Sequence, residues 1–84
     1  MELYDNIDSI SQHMFAYKIK EAGEEMTNMI EHLTSMVEGW PIDRVRSMQG
    51  ILELALSAME NSDYLLVADV LHFELKPFLR RSLT

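Results

Sequence analysis

Residues 63–81 read DYLLVADVLHFELKPFLRR, and this stretch decides the fold. Its apolar residues recur at steps of three and four, which is the helical period. Leu65, Leu66, Val67, Ala68, Val70, Leu71, Phe73, Leu75, Phe78 and Leu79 spread almost all around a helical wheel. Only Asp69, His72 and Lys76 form a narrow polar stripe. A helix this apolar needs cover on most of its sides. Asn61, Ser62 and Asp63 supply cap-forming residues before it. Pro77 removes a backbone donor near its end and is expected to kink or loosen the last turn.

Upstream, Gly39-Trp40-Pro41 marks a turn. Glycine suits the end of one helix and proline the start of the next. A second helix is predicted over 41–60. Val45, Met48, Ile51, Leu52, Ala55, Leu56 and Met59 make its apolar face, and Asp43, Arg46, Gln49, Glu53, Ser57 and Glu60 lie opposite. Gly50 falls on the polar side, where it costs about 1 kcal/mol of helix propensity.

The first segment, 3–39, carries two apolar stripes. Leu3, Ile7, Ile10, Met14 and Tyr17 form one; Met26, Met29, Ile30, Leu33, Met36, Val37 and Trp40 form the other. At about 100° per residue the second is rotated roughly a third of a turn from the first. Tyr4, Phe15 and Ala22 align better with the second. Gly23 stands at the junction, so the helix either bends there or continues and shows different faces to different neighbours. Continuous, it would span ~55 Å.

The expected fold is therefore all-α: a single domain, residues 1–84, with an antiparallel bundle of three helices at about 3–39, 41–60 and 63–81. The first helix is too long for its partners and the third too apolar for two neighbours. A homodimer in which the N-terminal half packs across a second copy answers both. A monomeric four-helix bundle broken at Gly23 is the alternative.

Fourteen acidic and seven basic side chains give a net charge of −7, and there is no cysteine. Such a chain repels phosphate and is not expected to bind nucleic acid. No apolar run approaches the ~20 residues that span a membrane. The acidic start MELYDNIDS does not read as a signal peptide. Absence of cysteine is compatible with a reducing cytoplasm. No phosphate loop, nucleophile elbow, zinc spacing or paired catalytic carboxylate is visible, so no enzyme and no cofactor are expected.

Some residues invite a chemical reading. Asp69 and His72 have the i, i+3 carboxylate–histidine spacing of di-iron bundles, and Glu25 and His32 are the nearest approach to a second pair. That is half a metal site at best; a solvated stripe is the plainer reading. Glu74 points on an α-helical wheel with Val67, Val70, Leu71 and Phe78. A carboxylate there must be paired, protonated or at an interface edge. Arg44 and Arg46, or Arg80 and Arg81 of another subunit, could pair it. Of the seven methionines all but Met1 follow the apolar stripes and read as core rather than as an adaptable binding surface. Trp40 reads as a cap on one end of the bundle. Charge is uneven: residues 1–40 hold eight acids and two lysines, against six acids and five bases in 41–84. Glu21, Glu24, Glu25 and Glu31 make a solvated acidic face or a surface for a basic partner.

Asp63, Tyr64, Leu66, Ala68, Asp69, Leu71, Glu74, Leu75 and Pro77 follow the pattern D-Y-x-L-x-A-D-x-L-x-x-E-L-x-P. In this the C-terminal segment resembles the ending of small uncharacterised bacterial all-helical proteins. The resemblance implies a bacterial helical domain with nothing catalytic, and makes Asp69, Glu74 and Pro77 a structural signature.

The function these features point to is a non-enzymatic helical interaction module: an adaptor, chaperone or regulator. It is expected to be homodimeric, cytoplasmic and matched to an unknown protein client. Ile7, Ile10, Met14, Tyr17, Trp40, Phe73, Glu74 and Phe78 are the candidate interaction residues. A metal- or small-ligand-binding bundle is the alternative.

Overall fold

The computed structural model describes residues 2–83, without the side chain of Glu2, and every element in it is helical. Met1 lies outside the described residues. α1 is Glu2–Phe15, α2 is Ile19–Met36 and α3 is Ile42–Glu60. α4 is one continuous helix in three stretches: Tyr64–Val70, a π-helical turn Leu71–Leu75, and Lys76–Leu83.

The long first helix expected over 3–39 is thus two helices, and the break is not at Gly23. It falls at Ala16-Tyr17-Lys18. Tyr17 adopts φ 56, the left-handed conformation. The Lys18 N–H donates to the His13 carbonyl at 2.8 Å and the Tyr17 N–H to the Met14 carbonyl at 3.1 Å. This is a Schellman stop, which satisfies carbonyls orphaned at a helix end. Glycine usually takes the left-handed position; here tyrosine does, and its ring meets Tyr64 edge-on at 6.2 Å. Gly23 lies inside α2, half-buried, with no heavy atom within 4 Å of where a Cβ would be. The rotation between the two stripes is real, and a turn six residues earlier causes it.

The same device ends α3. Ser62 has φ 58, and the Asp63 N–H donates to the Ala58 carbonyl. Asp63 then caps α4, its Oδ1 accepting the Leu66 N–H at 3.3 Å. Between α2 and α3, Gly39 takes φ 83 in a four-residue turn closed by the Trp40 N–H on the Val37 carbonyl.

α1 packs on α2 and on α4, and α4 packs also on α3. The core lies along the α1–α4 pair. Leu3, Ile7, Ile10 and Met14 are wholly buried, as are Leu71, Leu75 and Leu79 opposite them. Ala22, Met26, Met29 and Leu33 close the core from α2; Met48, Leu52, Ala55 and Ala58 close it from α3. Ala58 is buried where Leu56 was expected; Leu56 is largely exposed. Four methionines are core and Met36 and Met59 pack against it. The N-terminal half of the chain needs no second copy to cover it, because α2 and α4 do so.

Pro77 neither ends nor breaks α4. Its missing N–H leaves the Phe73 carbonyl without its usual donor, and its ring crowds that carbonyl. The turn before it widens instead: the Lys76 N–H donates to the Leu71 carbonyl, five residues back. The extra residue in this turn corrects the expectation for Glu74. An α-register would leave Glu74 beside Leu71 and Phe78; the wide turn gives that place to Leu75 and leaves Glu74 exposed.

Two outcomes test this architecture. Leu71→Asp buries an unpaired charge at the centre of the core and is expected to abolish cooperative unfolding; a normal melt would contradict the central placement of α4. Tyr17→Gly removes the left-handed strain and is expected to stabilise the chain by about 0.5–1 kcal/mol in urea denaturation. A loss instead would mean that the Tyr17–Tyr64 contact outweighs the strain.

Candidate functional site

Among the described residues, concave places lie on two sides of α4. The first lies between α1 and α4 and is lined by Ser11, Phe15, Ala68, Asp69, His72 and Phe73, with a volume of about 350 Å³. Phe15 is 57% exposed and Phe73 66%. Both rings project because neither lies on its helix's buried line. Phe15 follows Met14 by one position, and Phe73 sits in the wide turn between Leu71 and Leu75. Tyr17 and Leu65 are also more than half exposed and extend the seam toward the α1–α2 turn. His72 touches Phe73 edge-on, with ring centroids 4.8 Å apart.

The second is an open groove of about 780 Å³ between the start of α3 and the end of α4. Ile51, Leu54 and Phe78 give it apolar walls, Ser47 and Gly50 leave it room, and Arg44, Arg81, Asp43 and Glu74 line it with charge.

Two ion pairs tie α1 to its neighbours. His13 Nδ1 meets Glu25 Oε1 between α1 and α2, both atoms buried from solvent and supplied by partly exposed side chains. Lys76 Nζ donates to Asp8 Oδ1 at 2.8 Å between α4 and α1. Lys76 is therefore no part of a free polar stripe; its side chain is 12% exposed and engaged. Pairs this open to water contribute modestly, and mainly fix how the helices meet. The Arg80 guanidinium lies 5.7 Å from the Tyr4 ring centroid.

The residues expected to interact divide in two. Ile7, Ile10 and Met14 are fully buried within the chain, and Phe78 nearly so. Trp40 is half-buried and packs on Phe78, with ring centroids 6.5 Å apart, which makes it the cap on one end of the bundle. Ile7, Ile10 and Met14 offer no free face, whereas Phe78 and Trp40 keep a small exposed edge, that of Phe78 on the α3–α4 groove. Tyr17, Phe73 and Glu74 are exposed. Phe15, exposed with them, stands off the main stripe of its helix, and its wheel position beside Tyr4 and Ala22 is the sequence signal for it.

The four metal candidates are not assembled. Glu25 pairs with His13, not with His32, and His32 is exposed on α2. Asp69 and His72 are exposed on α4. Among the described residues no three His, Asp or Glu side chains group so as to hold a metal ion. No helix among them is long and apolar enough to cross a membrane.

Neither a curated protein nor a solved structure matches the chain. A family model does, described as a domain of unknown function, DUF8042, and it matches residues 1–83. Its match covers all four helices and both grooves, and the chain belongs to the DUF8042 family.

Proposed function

We propose that this chain is a non-enzymatic helical interaction module that pairs with a second copy and presents its α1–α4 seam to a protein client. The observation that carries this reading is the pair Phe15 and Phe73, exposed on the two sides of one cavity. A small domain gains nothing in stability from leaving two phenylalanines more than half in water. Large aromatic side chains around a pocket are what protein interfaces use as anchors. The cavity between them is sized for an apolar side chain of a client, and Asp69 and His72 give it a polar edge.

The rest of the surface supports a protein client over other partners. With a net charge of −7 the chain repels nucleic acid and anionic membranes and draws basic proteins. Glu21, Glu24 and Glu31 are all exposed on α2, next to the helix that carries Phe15. The setting we assign is the bacterial cytoplasm. The cysteine-free composition and the C-terminal pattern shared with small bacterial helical proteins support it.

A photo-crosslinking amino acid placed at Phe73 in the source cells tests the proposal. A discrete protein adduct is expected from position 73 and not from Glu24 on the acidic face. Phe15→Asp in the same background is expected to remove it. Because Phe15 is exposed, that change is expected to alter stability by no more than about 0.5–1 kcal/mol, checked by urea denaturation. No adduct, or equal adducts from both positions, would reject the seam as a client surface.

A further inference from the structure

Gly50 has no explanation inside the chain. It sits in the middle of α3, a 19-residue helix, where glycine destabilises relative to alanine. Its φ is not positive, and a Cβ there would meet nothing within 4 Å. Neither backbone conformation nor internal packing asks for it. Gly50 is exposed, and on the wheel it points away from Met48, Leu52, Ala55 and Met59, with buried Ala58 about 80° to one side. What a glycine on such a face permits is close approach of another backbone from outside.

The charges around Gly50 say which backbone. Arg46 lies four residues before it and Glu53 three after, and on the wheel the two differ by only about 20°, so they share one flank. Their distances from Gly50 along the axis are similar, ~6 Å and ~4.5 Å in opposite directions. A second α3 laid antiparallel across Gly50, related by a two-fold axis, therefore sets Arg46 of each copy opposite Glu53 of the other. On the opposite flank Ser47 and Leu54 are similarly spaced, so Leu54 of each copy, 48% exposed, meets the space beside Ser47 of the other. That space is the groove between α3 and α4. Arg44, Arg81 and Glu74 all line it, so pairing over this groove brings charged groups of both signs from the two copies together. Among the described residues none of Arg44, Arg46, Arg81, Glu53 and Glu74 makes an ion pair within its own chain.

We infer that two copies of this chain pair through α3, antiparallel and crossing at Gly50, with Arg46 and Glu53 exchanged between them. The inference rests on the reading of the chain as an interaction module, but uses a different face from the client seam. Two further observations favour a second copy over another protein. Arg44 and Arg46 lie near the N-terminal end of α3 and Glu60 closes it, with no basic residue in the last turn. Apart from Asp43, this ordering opposes the helix dipole. An antiparallel α3 sets its negative end against the arginines, which turns a local cost into attraction. Residues 41–84, which carry α3, also sum to only −1 where residues 1–40 carry −6. A chain that repels itself elsewhere meets itself here with least penalty.

Sedimentation equilibrium on the full chain tests the pairing. The parent is expected to be a dimer at low ionic strength and to weaken as salt is raised. Arg46→Glu and Glu53→Arg, made singly, each place like charges across the two-fold and are expected to raise the dissociation constant at least about tenfold. The double variant Arg46→Glu/Glu53→Arg exchanges the charges and is expected to restore it to near the parent value. Gly50→Leu is expected to give a monomer that still folds and unfolds cooperatively, since the position opens to solvent and leucine favours the helix. A monomeric parent, a dimer indifferent to Gly50→Leu, or a double variant no better than the singles would overturn the inference. A monomeric parent that still gives the Phe73 adduct would reject this surface alone. Loss of the adduct with the dimer intact would reject only the client seam.

Discussion

Leu71, Leu75 and Leu79 stand four residues apart, and all three are fully buried. An ideal α-helix cannot keep residues at that spacing on one line, because each step of four overshoots a full turn by about 40°. The described structure resolves the conflict with one wide turn. Pro77 is what makes it wide: a proline in a helix interior withholds a hydrogen bond and pushes against the carbonyl four residues back. With the Leu71 carbonyl bonded to Lys76 instead, the helix gains one residue and continues. The three leucines then face α1, and Phe78 turns toward Trp40. The π-turn is thus a packing device. It is also what leaves Phe73 and Glu74 on the surface, one at each concave site. Both surfaces therefore descend from the same backbone adjustment.

The helical class, the positions of α3 and α4 and most of the core were legible from periodicity. Leu3, Ile7, Ile10 and Met14 lie where a wheel puts them, and so do Met26, Met29 and Leu33. What was not legible depended on backbone conformations that residue type does not announce. Tyrosine at a left-handed helix stop has no sequence signature, so the rotation between two stripes was assigned to the nearest glycine. A π-turn shifts every later side chain by one place, and an α-helical wheel has no means of showing it. Glu74 was misplaced for that reason alone. The excess of apolar surface expected on the last helix remains: two neighbours cover its buried line, yet Leu65, Leu66 and Phe73 stay exposed.

The separation of charge has a structural counterpart. α1 and α2 are acidic, and two cross-helix pairs, His13 with Glu25 and Asp8 with Lys76, draw α1 onto its neighbours at its two flanks. Each joins groups that remain partly in water, so burial of leucine, isoleucine and methionine holds the chain together and the pairs orient it. Arg44 and Arg81 stand at the other side, where α3 and the end of α4 meet. The two halves of the chain thus present surfaces of different charge, acidic on α1 and α2 and mixed along α3.

Stability and exposure can be weighed against each other on α3. This helix contributes only one edge to the core, through Met48, Leu52, Ala55 and Ala58, and two of those four side chains are single methyl groups. It keeps a glycine at its centre and leaves Ile42 and Leu54 largely in water. A helix so lightly attached would be a weak point in a chain of 84 residues, where total stability is only a few kcal/mol. In the proposed pair, burial of Leu54 against a second α3 would remove apolar surface from water on this helix. On this view pairing completes the fold on the side of α3, opposite to the N-terminal half that the stripe pattern alone would have chosen.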